Sequence, residues 1–189
     1  MPDSSDQKIT YLLEMNDRSL LRGRCVDVPE LEIRQVKIAC PELNWFLHQL
    51  VGAAFRWGGR EAWDQRRWKA YVDRPQLETW VAYVSGAPAG YFELELQDDG
   101  SVRIECFGLC PPFFGKGLGA HLLTISVERA WDMGATRVWL STCSHDHEHA
   151  LKNYLRRGFQ LVEETTGPPN RQRESALFHS ESATQDACD

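Results

Sequence analysis

The stretch Phe114-Gly115-Lys116-Gly117-Leu118-Gly119 constrains the fold more than any other part of this chain, because it separates an apolar run ending near Leu109 from a long amphipathic pattern. Glycines at a helix start lower helix propensity, so their repetition needs another purpose. Glycine lets backbone approach a ligand closely, and the free N–H groups and positive dipole end of a helix N-terminus suit a phosphate or pyrophosphate. Lys116 adds a cation beside them. Gly115, Gly117 and Ala120 also fit the spacing of a dinucleotide-binding fingerprint, which requires an acid about twenty positions further on. That region reads Thr136-Arg137-Val138-Trp139-Leu140 and contains none. No GKS or GKT follows the glycines, so a phosphate-binding P-loop is excluded as well.

The surrounding pattern predicts a layered domain. Residues 32–39 are rich in β-branched groups and predict a first strand. Pro41 opens a helix whose apolar stripe is Leu43, Phe46, Leu47, Leu50, Val51 and Ala54. A second helix over 61–72 follows Gly58-Gly59 and carries Trp63, Trp68, Tyr71 and Val72. Residues 79–84, 89–96 and 102–109 are apolar runs separated by Ser85-Gly86-Ala87-Pro88 and Asp98-Asp99-Gly100, which predicts an antiparallel meander. A helix over 116–133, a strand at 138–140, a helix over 148–157, a strand over 159–163 and a last strand at 175–179 complete the order. The class is α/β (α+β), a mixed, mostly antiparallel sheet flanked by helices. Residues 1–31 read as a partly flexible N-terminal extension, 32–180 as one domain, and 181–189 as a flexible tail.

Composition narrows the partners. A net charge of −6 offers no basic excess for a phosphate backbone, so no nucleic-acid partner is expected. Residues 1–10 lack a secretory pattern and no apolar run reaches bilayer length, which gives the expectation of a cytoplasmic chain with no membrane partner, monomeric or homodimeric. The six cysteines form no CxxC pair and read as reduced, mostly structural thiols.

The run Phe107-Gly108-Leu109-Cys110-Pro111-Pro112-Phe113-Phe114-Gly115-Lys116-Gly117-Leu118-Gly119 resembles the GNAT acetyltransferases, whose signature is [Gln/Arg]-x-x-Gly-x-[Gly/Ala] after a strand, with Pro upstream. Phe114 stands where that family usually has Gln or Arg. Downstream, His147-Glu148-His149-Ala150-Leu151-Lys152-Asn153-Tyr154-Leu155-Arg156-Arg157-Gly158-Phe159 resembles the family pattern Asn-x-x-Ala-x-x-x-Tyr-x-x-x-Gly-Phe, with His147 in place of asparagine.

The resemblance implies a GNAT-like sheet splayed between its fourth and fifth strands, those at 102–109 and 138–140, and acetyl-coenzyme A as cosubstrate, its pantetheine arm paired with backbone of Phe107 and Leu109. Phe114, Gly115, Lys116, Gly117, Leu118, Gly119 and Ala120 would hold the pyrophosphate. The implied reaction is direct acetyl transfer to a primary amine of a small molecule or peptide, and the alternative is a non-catalytic acyl-coenzyme A binding or sensing module.

Such a transfer needs a neutral amine and a proton for the departing thiolate. Tyr154 matches the family tyrosine near the thioester sulfur; an aromatic packed at helical spacing with Leu151 and Leu155 is the lesser reading. Glu105, between Ile104 and Cys106, matches the family's general base in location, and a solvent-facing position on an alternating strand is the other reading. Glu93 and Glu95 alternate with Phe92, Leu94 and Leu96 as a wet face would, which makes them weaker candidates. The segment Cys143-Ser144-His145-Asp146-His147-Glu148-His149 is dense in metal-ligand types, but no matching zinc spacing occurs elsewhere. No metal is expected there. Asp146 or Ser144 serves as a helix cap, and His145 and His147 are candidates for a proton relay. Trp57, Trp63, Trp68 and Tyr71 offer either an aromatic wall for a substrate or core packing.

Overall fold

The computed structural model describes residues 7–168 of the chain. Its elements are β1 (Lys8–Met15), β2 (Leu31–Val36), α1 (Pro41–Gly52), α2 (Gln65–Val72), β3 (Leu77–Val84), β4 (Ala87–Leu96), β5 (Val102–Leu109), α3 (Leu118–Asp132), β6 (Val138–Cys143), α4 (Ala150–Arg156) and β7 (Gln160–Gly167). They build one seven-stranded sheet of order β2-β3-β4-β5-β6-β1-β7. Every neighbouring pair is antiparallel except β5 with β6. This is the mixed α/β architecture expected from the sequence. The expected strand at 175–179 and tail at 181–189 lie outside the described residues.

The main difference is at the start. Lys8–Met15, inside the segment read as an extension, is an interior strand, with Leu13 opposite Leu140 and Met15 opposite Val138 on β6. Its other side pairs with β7. Leu13 and Met15 are fully buried, which is what strand alternation provides when one face meets a core. The chain between β1 and β2 then runs along α3: Arg24 N donates to Thr124 Oγ1 at 2.9 Å, and Arg22 N to the Arg157 carbonyl at 2.9 Å.

Both faces of the sheet are covered. On one, Leu122, Leu123 and Val127 of α3 pack against Phe92, Leu94, Ile104 and Leu140. On the other, Leu47 and Val51 of α1 pack against Val81, Tyr91 and Cys106. Gly108 permits that approach, since a Cβ there would lie 2.4 Å from Val51 Cγ1. The inward face of α1 differs from its predicted apolar stripe. Asn44 and His48 are buried with Leu47 and Val51, while Phe46 and Leu50 are exposed. The second helix begins at Gln65 rather than 61 because Asp64 caps it, its carboxylate accepting from Arg67 N at 2.7 Å.

Candidate active site

The strands between which a splay is expected are β5 and β6, the fifth and sixth in chain order because β1 precedes them. They pair only at Val102↔Val138 and Arg103↔Trp139. Past those pairs a cavity of about 820 Å³ is lined from β5 by residues 104–109 and from β6 by Leu140, Ser141, Thr142 and Cys143. The glycine turn, α4 and the α1–α2 connection also contribute to its wall. Sequence elements far apart in the chain therefore meet where the sheet stops pairing.

At one end stands the glycine turn. Gly115 and Gly117 have φ of 77° and 76°, a left-handed conformation that glycine adopts without strain. Gly117 is the N-cap of α3, and the first N–H groups of that helix have no carbonyl of their own turn to reach. Of the predicted cofactor residues, Phe107, Leu109, Phe114, Gly115, Gly117, Gly119 and Ala120 line the cavity. Lys116 is not among the lining residues, and the Leu118 side chain is turned into the core at 2 % exposure. Cations that the sequence reading did not single out lie here. Arg24 Nη2 would be 3.9 Å from a Cβ on Gly117, and Lys152, Arg156 and Arg157 line the same cavity. Burial and then the neighbouring Arg24 and Arg156 charges hold the Arg157 guanidinium below its ordinary range, and its Nε is buried with no hydrogen-bond partner among the described residues. A cluster of like charges with an unmade donor is suited to an anion.

Tyr154, on α4, is 7 % exposed and also lines the cavity, its ring 6.0 Å from Phe107 and 6.1 Å from Phe159. Burial, with smaller contributions from Asp146 and Cys106, pushes its phenol far above the ordinary tyrosine range. It is thus a firm proton carrier at neutral pH. Asp146 caps no helix. Its carboxylate accepts from Thr142 Oγ1 at 2.5 Å, Cys143 N at 3.0 Å and Trp57 Nε1 at 3.2 Å, which fastens the β6–α4 turn to the α1–α2 connection. Ser144 Oγ accepts from Ile9 N at 3.1 Å, and α4 has no side-chain cap at all. His147 packs its ring against Phe114 at 4.8 Å and Phe55 at 5.9 Å. Among the described residues no group of three or more His, Cys, Asp or Glu is placed to hold a metal ion, and the five described cysteines are free thiols.

At the other end lies an ionic cluster. The β4/β5 ladder passes from Glu93↔Cys106 to Leu94↔Ile104, so Glu105 is an extra, unpaired residue. Such a bulge re-aims side chains. It puts Glu105 and Cys106 toward the α1–α2 side, where Glu105 meets Arg103 at 2.8 Å and Arg60 at 3.6 Å and lines the cavity. Burial raises the Glu105 carboxyl above the usual carboxylate range, against Arg103 and Arg60, which lower it, and with Glu95, which raises it.

Glu93 is not on a wet face. It is fully buried, because β4 is an interior strand roofed by α1 and α2. Its carboxylate accepts from Asn44 Nδ2 at 2.8 Å, Tyr71 OH at 2.6 Å and Arg60 Nη1 at 3.1 Å. Burial opposes its charge, but Arg60, Tyr71 and Asn44 together hold it below the usual range. Trp63, Trp68 and Tyr71 pack edge to face with centroids 5.1 Å to 6.1 Å apart. They surround Arg60, whereas Trp57 lines the cavity. Arg60 and Asn44 were invisible to motif reading. The available signal was a glutamate on a strand with helices predicted on either side of it in the chain, which requires a polar partner when roofed.

Comparison with known proteins agrees with this geometry. The sequence profile described as the acetyltransferase (GNAT) family matches residues 44–159. Uncharacterized N-acetyltransferases of Mycobacterium bovis and Mycobacterium tuberculosis are 30 % identical over 95 residues, covering 50 % of this chain and 60 % of theirs. The chain thus spans only part of the length of the curated relatives it matches. A GCN5-related N-acetyltransferase of Sphaerobacter thermophilus has a similar fold, with a TM-score of 0.64 at 16 % identity over 84 % of this chain and 50 % of that one. So has an aminoglycoside acetyltransferase from an uncultured soil metagenomic sample, with a TM-score of 0.57 at 15 % identity over 80 % and 95 %. With a family match across most of the described sheet, the chain belongs to the GNAT acetyltransferase family.

Proposed function

We propose that this chain transfers the acetyl group of acetyl-coenzyme A directly to a primary amine of a small molecule or peptide. The observation that carries the reading is that one cavity, opening where β5 and β6 stop pairing, is lined by the glycine turn, Tyr154 and Glu105 together. The residues present fit the cosubstrate. Gly115 and Gly117 expose a left-handed backbone and the N-terminus of α3 to a pyrophosphate, with Lys116 beside them, and Arg24, Arg156 and Arg157 supply cations. The open edge of Phe107 and Leu109 past Arg103 suits extended amide groups lying along β5.

When bound, acetyl-coenzyme A supplies an activated acyl group on sulfur. Glu105 accepts a proton from the incoming ammonium, directly or through water, so that the amine attacks as the free base. Its upward-shifted carboxyl brings it closer to neutral pH and makes it a better acceptor than an ordinary glutamate. Tyr154, held protonated by burial, donates a hydrogen bond or proton to the departing thiolate. Cys106 lines the same cavity, but burial and the nearby Glu93 charge push its thiol up and keep it protonated, so it is a poor nucleophile and direct transfer is favoured over an acyl-enzyme.

Calorimetric titration with acetyl-coenzyme A, followed by thiol release across a panel of amines, tests the reading. Because one structural neighbour is an aminoglycoside acetyltransferase solved with sisomicin, that amine belongs in the panel with amino-acid amides and peptides. No binding of acetyl-coenzyme A rejects the proposal. Binding without thiol release across the panel favours the non-catalytic module.

A further inference from the structure

Arg60 lies on the α1–α2 connection, the segment that also brings Phe55, Trp57 and Gly58 to the cavity. Its guanidinium carbon is 4.2 Å from the Tyr71 ring centroid, 5.0 Å from Trp63 and 5.5 Å from Trp68. It donates through Nη1 to Glu93 at 3.1 Å and through Nη2 to Tyr71 OH at 2.7 Å, and that same Nη2 is 3.6 Å from Glu105. A side chain only 9 % exposed needs a counter-charge, and Glu93 alone provides one. The contact with Glu105 is therefore additional to charge balance.

The groups around Glu105 explain what the extra contact does. From its own strand it faces Arg103 and Cys106, and from β4 it faces Glu93 and Glu95. Tyr71 of α2 is bound to Glu93, and His48 of α1 lines the same cavity. Glu95 stands opposite Arg103 and Glu105 lies two residues further along β5, so the two carboxylates are near neighbours. Each has one arginine of its own: Arg74 for Glu95 and Arg103 for Glu105. Arg60 gives Glu105 a second arginine and forms no ion pair with Glu95 among the described residues.

We propose that Arg60 is a positioning residue, which grips Glu93 and Glu105 at once, fixes the acceptor-side connection on the sheet and holds the Glu105 carboxylate facing the cavity. The inference rests on the acetyl-transfer reading for the use made of Glu105, but its test does not depend on turnover.

The test is a titration of the full chain labelled with ¹³C at the glutamate carboxyls, followed by NMR, with the Glu105 signal identified from its loss in Glu105→Gln. Arg60→Met should raise the Glu105 midpoint by about one pH unit or more, the effect of removing an opposite charge a few ångströms away. In Arg60→Lys a single ammonium that pairs with Glu93 does not also fork to Glu105, so the midpoint should rise in the same direction by less. That variant decides the matter if Arg60→Met does not fold. Wherever an amine substrate gives measurable turnover, the acid limb of kcat/KM should move with the midpoint. A Glu105 midpoint unchanged in the folded variants overturns the proposal, whether or not acetyl transfer itself is found.

Discussion

The two ends of the cavity are built by different physics. The proposed cofactor end is built mainly on backbone, two left-handed glycines, a helix N-terminus and a strand edge released from pairing after Arg103, with Arg24, Lys152, Arg156 and Arg157 around it. The proposed acceptor end is made of side chains drawn from α1, the α1–α2 connection, α2, β4 and β5, meeting around the buried Glu93. The first kind of site is written in a short stretch of chain and tolerates change wherever only a side chain is lost. The second kind depends on every partner at once, because an unpaired buried charge is far costlier than a lost surface contact.

Glu93→Ala tests that contrast most severely. It strands the Arg60 guanidinium among aromatic rings, and unfolding by denaturant should show a loss of about 3–5 kcal/mol, the range for breaking a buried ion pair by removing one partner. A loss below about 1 kcal/mol, as for a surface pair, would erase the distinction between the two ends. The pH dependence has a definite sign. The Glu93 carboxyl is lowered in the folded chain, so its stabilisation is present above the unfolded value of about 4.3 and is lost as pH falls through the lower folded value. Stability of the parent should decline more steeply in acid than that of Glu93→Gln, measured by the same unfolding curves.

Tyr154→Phe separates chemistry from binding within the cofactor end. Removing a proton donor that acts only on the leaving group should lower kcat by about 100-fold, or ~2.7 kcal/mol. The affinity for acetyl-coenzyme A by calorimetry should stay nearly unchanged, since the ring and its contacts with Phe107 and Phe159 remain. Equal losses in kcat and affinity would assign Tyr154 to the cavity wall instead.

The same contrast governs what the sequence shows. The meander of β3, β4 and β5, the helix after the glycines and the Tyr154 motif are local patterns, and the structure has them where the pattern puts them. β1 carries a legible alternation in Ile9, Tyr11, Leu13 and Met15, but its meaning comes from β6 and β7 at the far end of the chain. Apolar periodicity misplaced the inner face of α1, because Asn44 goes inward to donate to Glu93 and Thr79 while Phe46 stays out. The alternation around Glu93 does mark two faces of β4; which of them is wet depends on the helices packed over the strand, and that is a tertiary fact.

A smaller effect comes from paired changes in the glycine turn. Gly115→Ala and Gly117→Ala both force a side chain into the left-handed region, at a cost of about 1–2 kcal/mol. They differ in their surroundings. A Cβ on Gly115 meets nothing within 4 Å, whereas one on Gly117 comes to 3.0 Å from Val26 Cγ1 and close to Arg24. Gly117→Ala should therefore weaken acetyl-coenzyme A binding more than Gly115→Ala in parallel titrations, with the difference tracing to displacement of the Val26 and Arg24 segment. Equal losses would mean that the backbone strain alone matters.

The smallest predicted effect concerns the two positions where this chain departs from the family pattern. Phe114 stands in place of Gln or Arg and His147 in place of Asn, and the two rings touch edge to face at 4.8 Å and 74°. One comes from the glycine turn and the other from the β6–α4 turn, so their contact spans the gap between the strands that part after Arg103. Phe55 joins both rings from the acceptor-side connection, at 6.3 Å and 5.9 Å. A double-mutant cycle with Phe114→Ala and His147→Ala, read by acetyl-coenzyme A affinity and by stability, should give a coupling of about 0.5–1.5 kcal/mol. Coupling in stability alone assigns the pair to holding the two turns together, whereas coupling in affinity as well means that the rings form a surface the coenzyme meets. Strict additivity in both would show the two departures to be unrelated despite their contact, and the cofactor end would then owe its form to backbone alone.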